Sequence, residues 1–410
     1  MAMAENLTQR PLLDLTDPRF LADPYPFYRV LRERVPIWRS PTGLWVLSRY
    51  ADVAAVSKDP RFGHDFEGNL SDPRERNELL DEPVFRGLRL SMLVRDPPDH
   101  TRLRGLVVKA FTARRLEEMR PKIEALVKTL LDKVEPQRRM DVVGDFARPL
   151  PVLVICELLG IPEADRPRFL SGYKVSGRAL DPTPMTREEL DEVNAIAVRN
   201  RGYFEELFER RRDAEGEDLI SALLHVRDEH DGRLTHDELA ANIGLLFGAG
   251  HETTTHLIGN GLLALHRNPE QWRKLVADPT LAANALEELL RYDSSVQLTS
   301  RKAFEDVALS DGTIVRRGES VMCLLGAANR DPEVYADPDK LDITRKNVRP
   351  LSFGGGIHHC LGAQLARIEG EIAFRRLAQR LPGLELEDIE HPAWKPTITL
   401  RGLTKLEARW

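Results

Sequence analysis

The stretch that decides the fold runs from Thr235 to His266 and reads THDELAANIGLLFGAGHETTTHLIGNGLLALH. Thr235-His236-Asp237-Glu238 has the spacing of a capping box, in which a hydroxyl and a carboxylate satisfy the first orphan amides of a helix. From Leu239 to His266 the only Asp, Glu, Lys or Arg is Glu252. At 1.5 Å per residue the pattern predicts a rod about 42 Å long. It is apolar on most faces, the mark of a helix through the centre of a large protein. Asn242, His251, Glu252, His256 and Asn260 argue against a membrane span. A carboxylate halfway along a buried rod is costly unless paired, hydrated or neutral. Ala249 and Gly250, just before it, allow something flat or bulky to approach the backbone, or a local bulge in the helix. The stretch alone leaves open whether Glu252 pairs with a distant Arg or Lys or does chemistry.

The rest of the chain sets the context. Its 410 residues carry 59 Lys and Arg against 65 Asp and Glu, a net charge of −6 that speaks against general nucleic-acid binding. Charged residues are 30% and hydrophobic ones 42%, the balance of a soluble globular protein. Cys156, Cys323 and Cys360 are too few and scattered for a disulfide framework or a Cys-rich zinc site. The segment from Met1 to Pro11 carries no signal-peptide or anchor pattern, and no run of 18 apolar residues occurs, so a cytoplasmic protein is expected. Helical periodicity covers Thr101–Phe111, Leu116–Val134, Leu150–Leu159 and about Arg187–Arg212. Leu44–Leu47 reads as a short strand, while 61–95 and 177–186 are irregular. No linker-like stretch divides the chain. The expectation is one domain over residues 1–410, mainly α with a small β component.

A second stretch carries chemistry. Phe353-Gly354-Gly355-Gly356-Ile357-His358-His359-Cys360-Leu361-Gly362 places four glycines around one cysteine, and Ala363–Arg380 follows with helical spacing. A cysteine just before a helix meets free amides and the positive end of the dipole, which favour a thiolate. The glycines let the backbone fold around a flat ligand and aim amides at the sulfur. A zinc site would want more Cys or His ligands. A Cys–His hydrolase is disfavoured because neighbours on one loop rarely hold nucleophile–base geometry.

Phe353, Gly356, Cys360 and Gly362 resemble the haem-binding loop of the cytochrome P-450 family, whose cysteine thiolate is the axial iron ligand. Ala249-Gly250 with Glu252-Thr253 is similar to that family's oxygen-activation motif on its long central helix. Glu288-Leu289-Leu290-Arg291 resembles the third signature, a Glu and an Arg on one helix face. A lone Glu-x-x-Arg carries little weight, but all three in family order and spacing are specific. The resemblance covers almost the whole chain and is nearest to soluble bacterial members. It implies a long central helix over a buried haem b (iron protoporphyrin IX), with Cys360 as metal ligand and Ala249, Gly250, Phe353, Gly354 and Gly362 around the cofactor. Asp96 to Arg104 resembles the segment whose His and Arg hold the haem propionates, here His100 and Arg104, with Arg301 and His358 at the other expected contacts. Glu288 and Arg291 belong to a structural cluster; Lys340 stands where a further Arg is common, so Arg345 is the substitute.

The implied reaction inserts one atom of dioxygen into an organic substrate and reduces the other to water. Thr253 would hold oxygen by hydrogen bonding and Glu252 would relay protons through water, a role that accounts for the lone acid better than ion pairing does. Electrons must come from a ferredoxin or flavodoxin with an NAD(P)H-fed reductase, since no flavin or iron–sulfur pattern is present. The basic run Arg102, Arg104, Lys109, Arg114 and Arg115 reads equally as a steering patch or a solvated face. By motif position the substrate pocket draws on Ser91, Met92, Leu93 and Val94, on Leu245 and Gly248, and on Gln297, Leu298, Ile398 and Leu400. These are mostly apolar, so a largely hydrophobic small molecule is expected, with Gln297 orienting one polar group. The alternatives are a peroxide-driven peroxygenase, against which the Glu252-Thr253 pair argues, and a non-catalytic haem-binding sensor, which would leave that pair without purpose.

Overall fold

In the computed structural model, which describes residues 15, 17–65, 78–170, 177–212, 216, 218–226 and 232–410, the stretch quoted above is the helix His236–Arg267, 32 residues and about 48 Å long. Both halves of the capping box form: Thr235 Oγ1 accepts from the Glu238 amide at 3.2 Å, and the Glu238 carboxylate accepts from the Thr235 amide at 2.9 Å. Arg102 reaches across to the same Glu238 carboxylate, fastening its own helix, Asp99–Ala110, to the start of the rod. The rod is α-helical throughout, so the bulge considered at Gly250 does not form. Instead a Cβ at Gly250 would lie 3.4 Å from Ile155 Cδ1, so this glycine serves close packing against the helix Pro149–Leu159. Gly261 does the same for Phe374, whose ring a Cβ there would meet at 2.5 Å.

Helices Pro149–Leu159, Arg187–Arg211 and Ala363–Arg380 pack on this rod and Ala113–Val134 packs on the first and last of them, all close to their sequence-predicted bounds. Together they enclose the largest hydrophobic cluster. The β component is small. Five short strands form one sheet in the order Ile37–Arg39, Trp45–Leu47, Ser320–Leu324, Leu298–Ala303 and Phe62–Gly63, with only the Trp45–Leu47 and Ser320–Leu324 pair parallel. Alternation sends Leu47, Val321 and Cys323 to one side of this sheet and Val46, Met322 and Leu324 to the other. The second side is covered by Phe20, Tyr25, Tyr28 and Leu31 of the first two helices. Two-stranded pairs elsewhere include Ala393–Trp394 with Leu403–Lys405, a hairpin that lies against the rod.

Candidate active site

The cysteine loop is shaped by its glycines. Gly354 and Gly356 hold φ of +69° and +64°, a region that L side chains rarely adopt. A Cβ on Gly356 would also lie 2.3 Å from the Ser57 carbonyl, so the loop packs backbone against backbone. The Cys360 amide donates to the Phe353 carbonyl at 2.9 Å, closing the loop just before the helix Ala363–Arg380. Cys156 and Cys323 are buried, and burial pushes both thiols up to about 12. Cys360 is the exposed one. Surrounding atoms still push its thiol up, but the Gly362 amide, Arg104 and Arg367 pull the other way. Arg367 lies 4.5 Å over the Phe353 ring, and Arg104 Nη2 donates to the His359 carbonyl at 2.5 Å.

Along the central rod, burial fails on one stripe. Gly244 and Ala249 are exposed and Leu245, Gly248 and Thr253 half-buried, while Ile243, Phe247, His251 and Glu252 are buried. Thr253 Oγ1 donates to the Ala249 carbonyl at 3.0 Å, which leaves its oxygen lone pairs toward that stripe.

Glu252, one residue back, turns about 100° away. Lys395 Nζ of the hairpin donates to its Oε1 at 2.6 Å, and His256 Nε2 stands 3.5 Å from the same oxygen. The acid is thus ion-paired, contrary to the expectation that relay alone explains it. Burial would push the carboxyl up, but His256 and Lys395 outweigh that and hold it at about 2. Its second oxygen faces Gly177, where a Cβ would lie 2.7 Å away.

Imidazoles gather at the edge of the cysteine loop. His358 has ring contacts with His100 at 4.2 Å and His64 at 4.4 Å between centroids. Neither ring nitrogen of His100, nor Nε2 of His358, has a hydrogen-bond partner in the protein. Arg301 is buried and gives Nη1 to Thr299 Oγ1 at 3.0 Å and to the Ser300 carbonyl at 2.8 Å. Among the described residues no group of three His, Cys, Asp or Glu is placed to hold a bare metal ion.

This chain matches known proteins along its length. The family model described as Cytochrome P450 matches residues 181–392. The putative cytochrome P450 133B2 of Xylella fastidiosa is 41% identical over 97% of this chain and 98% of its own length. The vitamin D(3) 25-hydroxylase of Pseudonocardia autotrophica is 41% identical over 98% of each. The chain belongs to the cytochrome P450 family. The crystal structure of P450BioI in complex with an acyl carrier protein ligated to hexadec-9Z-enoic acid superposes with a TM-score of 0.87, at 40% identity, covering 96% of this chain and 99% of that one. The fold is therefore the cytochrome P450 fold, and the protein is an oxidoreductase, a haem monooxygenase of that family.

The residues present fit the haem of a cytochrome P450. Buried imidazole nitrogens without protein partners call for acceptors from outside the chain. Two carboxylates removed from water need such donors, and His100, His358, Arg301 and Arg104 are brought to one region. The exposed thiol, with an amide and two guanidinium groups near it, suits a thiolate ligand.

Several expected contacts lie elsewhere. Gln297 Nε2 donates to the Ser294 carbonyl at 2.6 Å and to Tyr25 Oη of the second helix at 3.2 Å, so its N–H groups are engaged by the protein. Leu298 and Ile398 pack into that same far-side cluster. Leu400 parts from Ile398 because Thr397 Oγ1 donates to the Leu400 carbonyl at 2.7 Å, which bends the segment; a Cβ on Gly177 would lie 2.7 Å from its Cδ1. Ser91 Oγ turns back to the Leu88 carbonyl at 2.7 Å, and Met92 belongs to the main core, its amide donating to Asn242 Oδ1 at 3.0 Å. Leu93 is half-buried and Val94 buried beside them. Gly250 faces Ile155 rather than the stripe. In the basic run, Arg102 pairs with Glu238 and Arg114 with Glu118, so neither is a bare steering charge. The irregular segment's residues 66–77 lie outside the described residues.

Sequence reasoning missed His64, Lys395 and Arg367 and saw His256 only as a polar interruption. The first two reach the site from remote elements and leave no local pattern. Arg367 had a signal, since it lies on the first turns of the helix that follows Cys360.

Proposed function

We propose that this cytochrome P450 oxidises a largely apolar small molecule on the stripe formed by Gly244, Leu245, Gly248, Ala249 and Thr253, with electrons delivered by a separate ferredoxin or flavodoxin and its NAD(P)H-dependent reductase. The observation that carries the reading is one exposed cysteine in a glycine loop, together with a central rod whose burial fails along that stripe. Two relatives support the substrate class by name: vitamin D(3) and hexadec-9Z-enoic acid are both mainly hydrocarbon.

Haem held by the Cys360 thiolate supplies, when bound, reductive cleavage of dioxygen and transfer of one oxygen atom to the substrate. His100, Arg104, Arg301 and His358 hold its propionates and keep it oriented. Small side chains at Gly244, Gly248 and Ala249 admit a bulky apolar substrate, and burial around them excludes water. Thr253 Oγ1 accepts a proton at its free lone pairs and passes on the hydrogen it shares with Ala249. Glu252, ionised while Lys395 holds it, takes a proton from solvent hydronium when that contact loosens and passes it toward Thr253 through intervening water. Beside the cysteine loop a cleft of about 370 Å³ is lined by His100, Arg104, Gly105, Val108 and Ile357. Val108 and Ile357 are exposed there and offer an apolar seat for a small electron carrier.

The deciding experiment is the carbon monoxide difference spectrum of the reduced protein beside Cys360→Ala. The expected result is a long-wavelength Soret band that disappears in the variant. No such band in wild-type protein supplied with haem would overturn the reading.

A further inference from the structure

The propionate set carried over from the family has four members, and the fold brings a fifth residue to the same place. The strand Phe62–Gly63 pairs antiparallel with Leu298–Ala303 in the register Gly63↔Lys302, so the chain leaves that strand beside Arg301. The Asp96 carboxylate then fastens the next turn: it accepts from the His64 amide at 2.9 Å and 3.1 Å and from the Asp65 amide at 3.0 Å. Lys302 Nζ holds Asp65 at 2.9 Å from the opposite strand. Gly63 has no room for a side chain, since a Cβ would lie 2.4 Å from Asp96 Oδ1 and 2.3 Å from the Phe304 ring. His64 is therefore set in place by backbone, not by a flexible loop. Its ring stands edge-on to His358, at 87° and 4.4 Å, and His100 lies 4.2 Å from His358.

Resting on the haem reading above, we propose that His64 is a further propionate-binding residue, the third imidazole donor in a seat shared with His100 and His358. The two guanidinium groups of this seat are partly engaged by the protein: Arg104 donates to the His359 carbonyl, and Arg301 to Thr299 and Ser300. Imidazole N–H groups thus carry more of the carboxylate load here. Burial, with the neighbouring Arg301, His358 and His100, keeps the His64 ring neutral. Asp96 is the nearby opposing charge, and the two amides of His64 and Asp65 absorb it.

The test uses reconstituted holoenzyme carrying His64→Phe, which keeps a flat ring without an N–H, and His64→Gln, which keeps a donor. Haem transfer to excess apomyoglobin is expected to be about 10-fold faster for His64→Phe, the loss of about 1.4 kcal/mol of charge-assisted hydrogen bonding. His64→Gln should stay within about two-fold of wild type, because one amide N–H replaces one imidazole N–H. The carbon monoxide band should keep its position in both. Unchanged haem loss in His64→Phe, with accelerated loss in His358→Phe, overturns the proposal. If His64→Phe takes up no haem, the propionate bending modes in the resonance Raman spectrum decide: a shift between wild type and His64→Gln supports the contact, and identical modes overturn it. A wild type without the thiolate carbon monoxide band would fail the haem reading itself, and this proposal with it.

Discussion

Glu288 and Glu252 are both buried carboxylates on helices of one protein, and they are held in opposite ways. Glu288 takes two parallel hydrogen bonds from Arg291, at 2.7 Å and 2.8 Å, with Arg345 at 3.2 Å and the Asp342 amide at 3.0 Å. Arg291 in turn donates to the carbonyls of Asn329, Pro338 and Lys340. Planar forks and backbone leave nothing unpaired, and neither side chain has any exposure. Arg345 joins this cluster, while Lys340, which stands where a further Arg is common, contributes only its carbonyl. Glu252 is held by one lysine, a point charge on a flexible stem, and by a histidine at a long 3.5 Å. Lys395 keeps 12% of its side chain in solvent. One acid is locked into the scaffold; the other is held so that it can be let go.

The harshest way to break that contrast is Arg291→Ala. Leaving Glu288 and three carbonyls without their fork should cost about 3–5 kcal/mol in denaturant unfolding. A loss below about 1 kcal/mol would put Glu288 in the same class as Glu252. Next in size is Glu252→Gln, which keeps shape and hydrogen bonding. Product formation should fall about 100-fold with a larger solvent isotope effect, while haem content stays intact. Thr253→Ala is the companion: it should still bind haem but divert electrons to peroxide, and unaltered coupling of electron use to product would remove Thr253 from the relay. The smallest effect sharpens the contrast through pH. A carboxyl depressed from 4.5 to about 2 contributes stability that is complete above 4.5 and lost as pH falls toward 2. Lys395→Met removes one of the groups that depress it, so acid unfolding should begin at a higher pH than in wild type. An unchanged acid limb would mean that the ion pair contributes nothing to folding.

The same comparison shows what a sequence can and cannot reveal. The rod and the helix after Cys360 were legible because a capping box, a charge-free run and helical spacing are local signals, and both helices form where those signals put them. The Glu288–Arg291 pair, though only three residues apart, was legible through the resemblance and not by itself. The partner of Glu252 was not, since Lys395 is 143 residues away on a hairpin whose packing no pattern announces. His64 reaches its neighbours through strand register, and register between short strands is set by the finished fold. Leu298 and Ile398, given to the pocket by motif position, pack with the first helices, because motif position does not say which face of a sheet those helices cover.

The parallel pairing of Trp45–Leu47 with Ser320–Leu324 has a consequence for how the molecule is made. Trp45 meets Val321, and Arg401 holds the carbonyls of Leu21 and Ala22 from 380 and 379 residues away. At roughly 5–20 residues per second, the early strand emerges from the ribosome on the order of 14–55 s before its neighbour exists. Throughout that interval its hydrogen-bonding edge and the apolar rings of Phe20, Tyr25 and Tyr28 have no permanent partner. The N-terminal segments must therefore stay soluble or shielded as nascent chain, and the sheet cannot be completed until Ser320–Leu324 has been made.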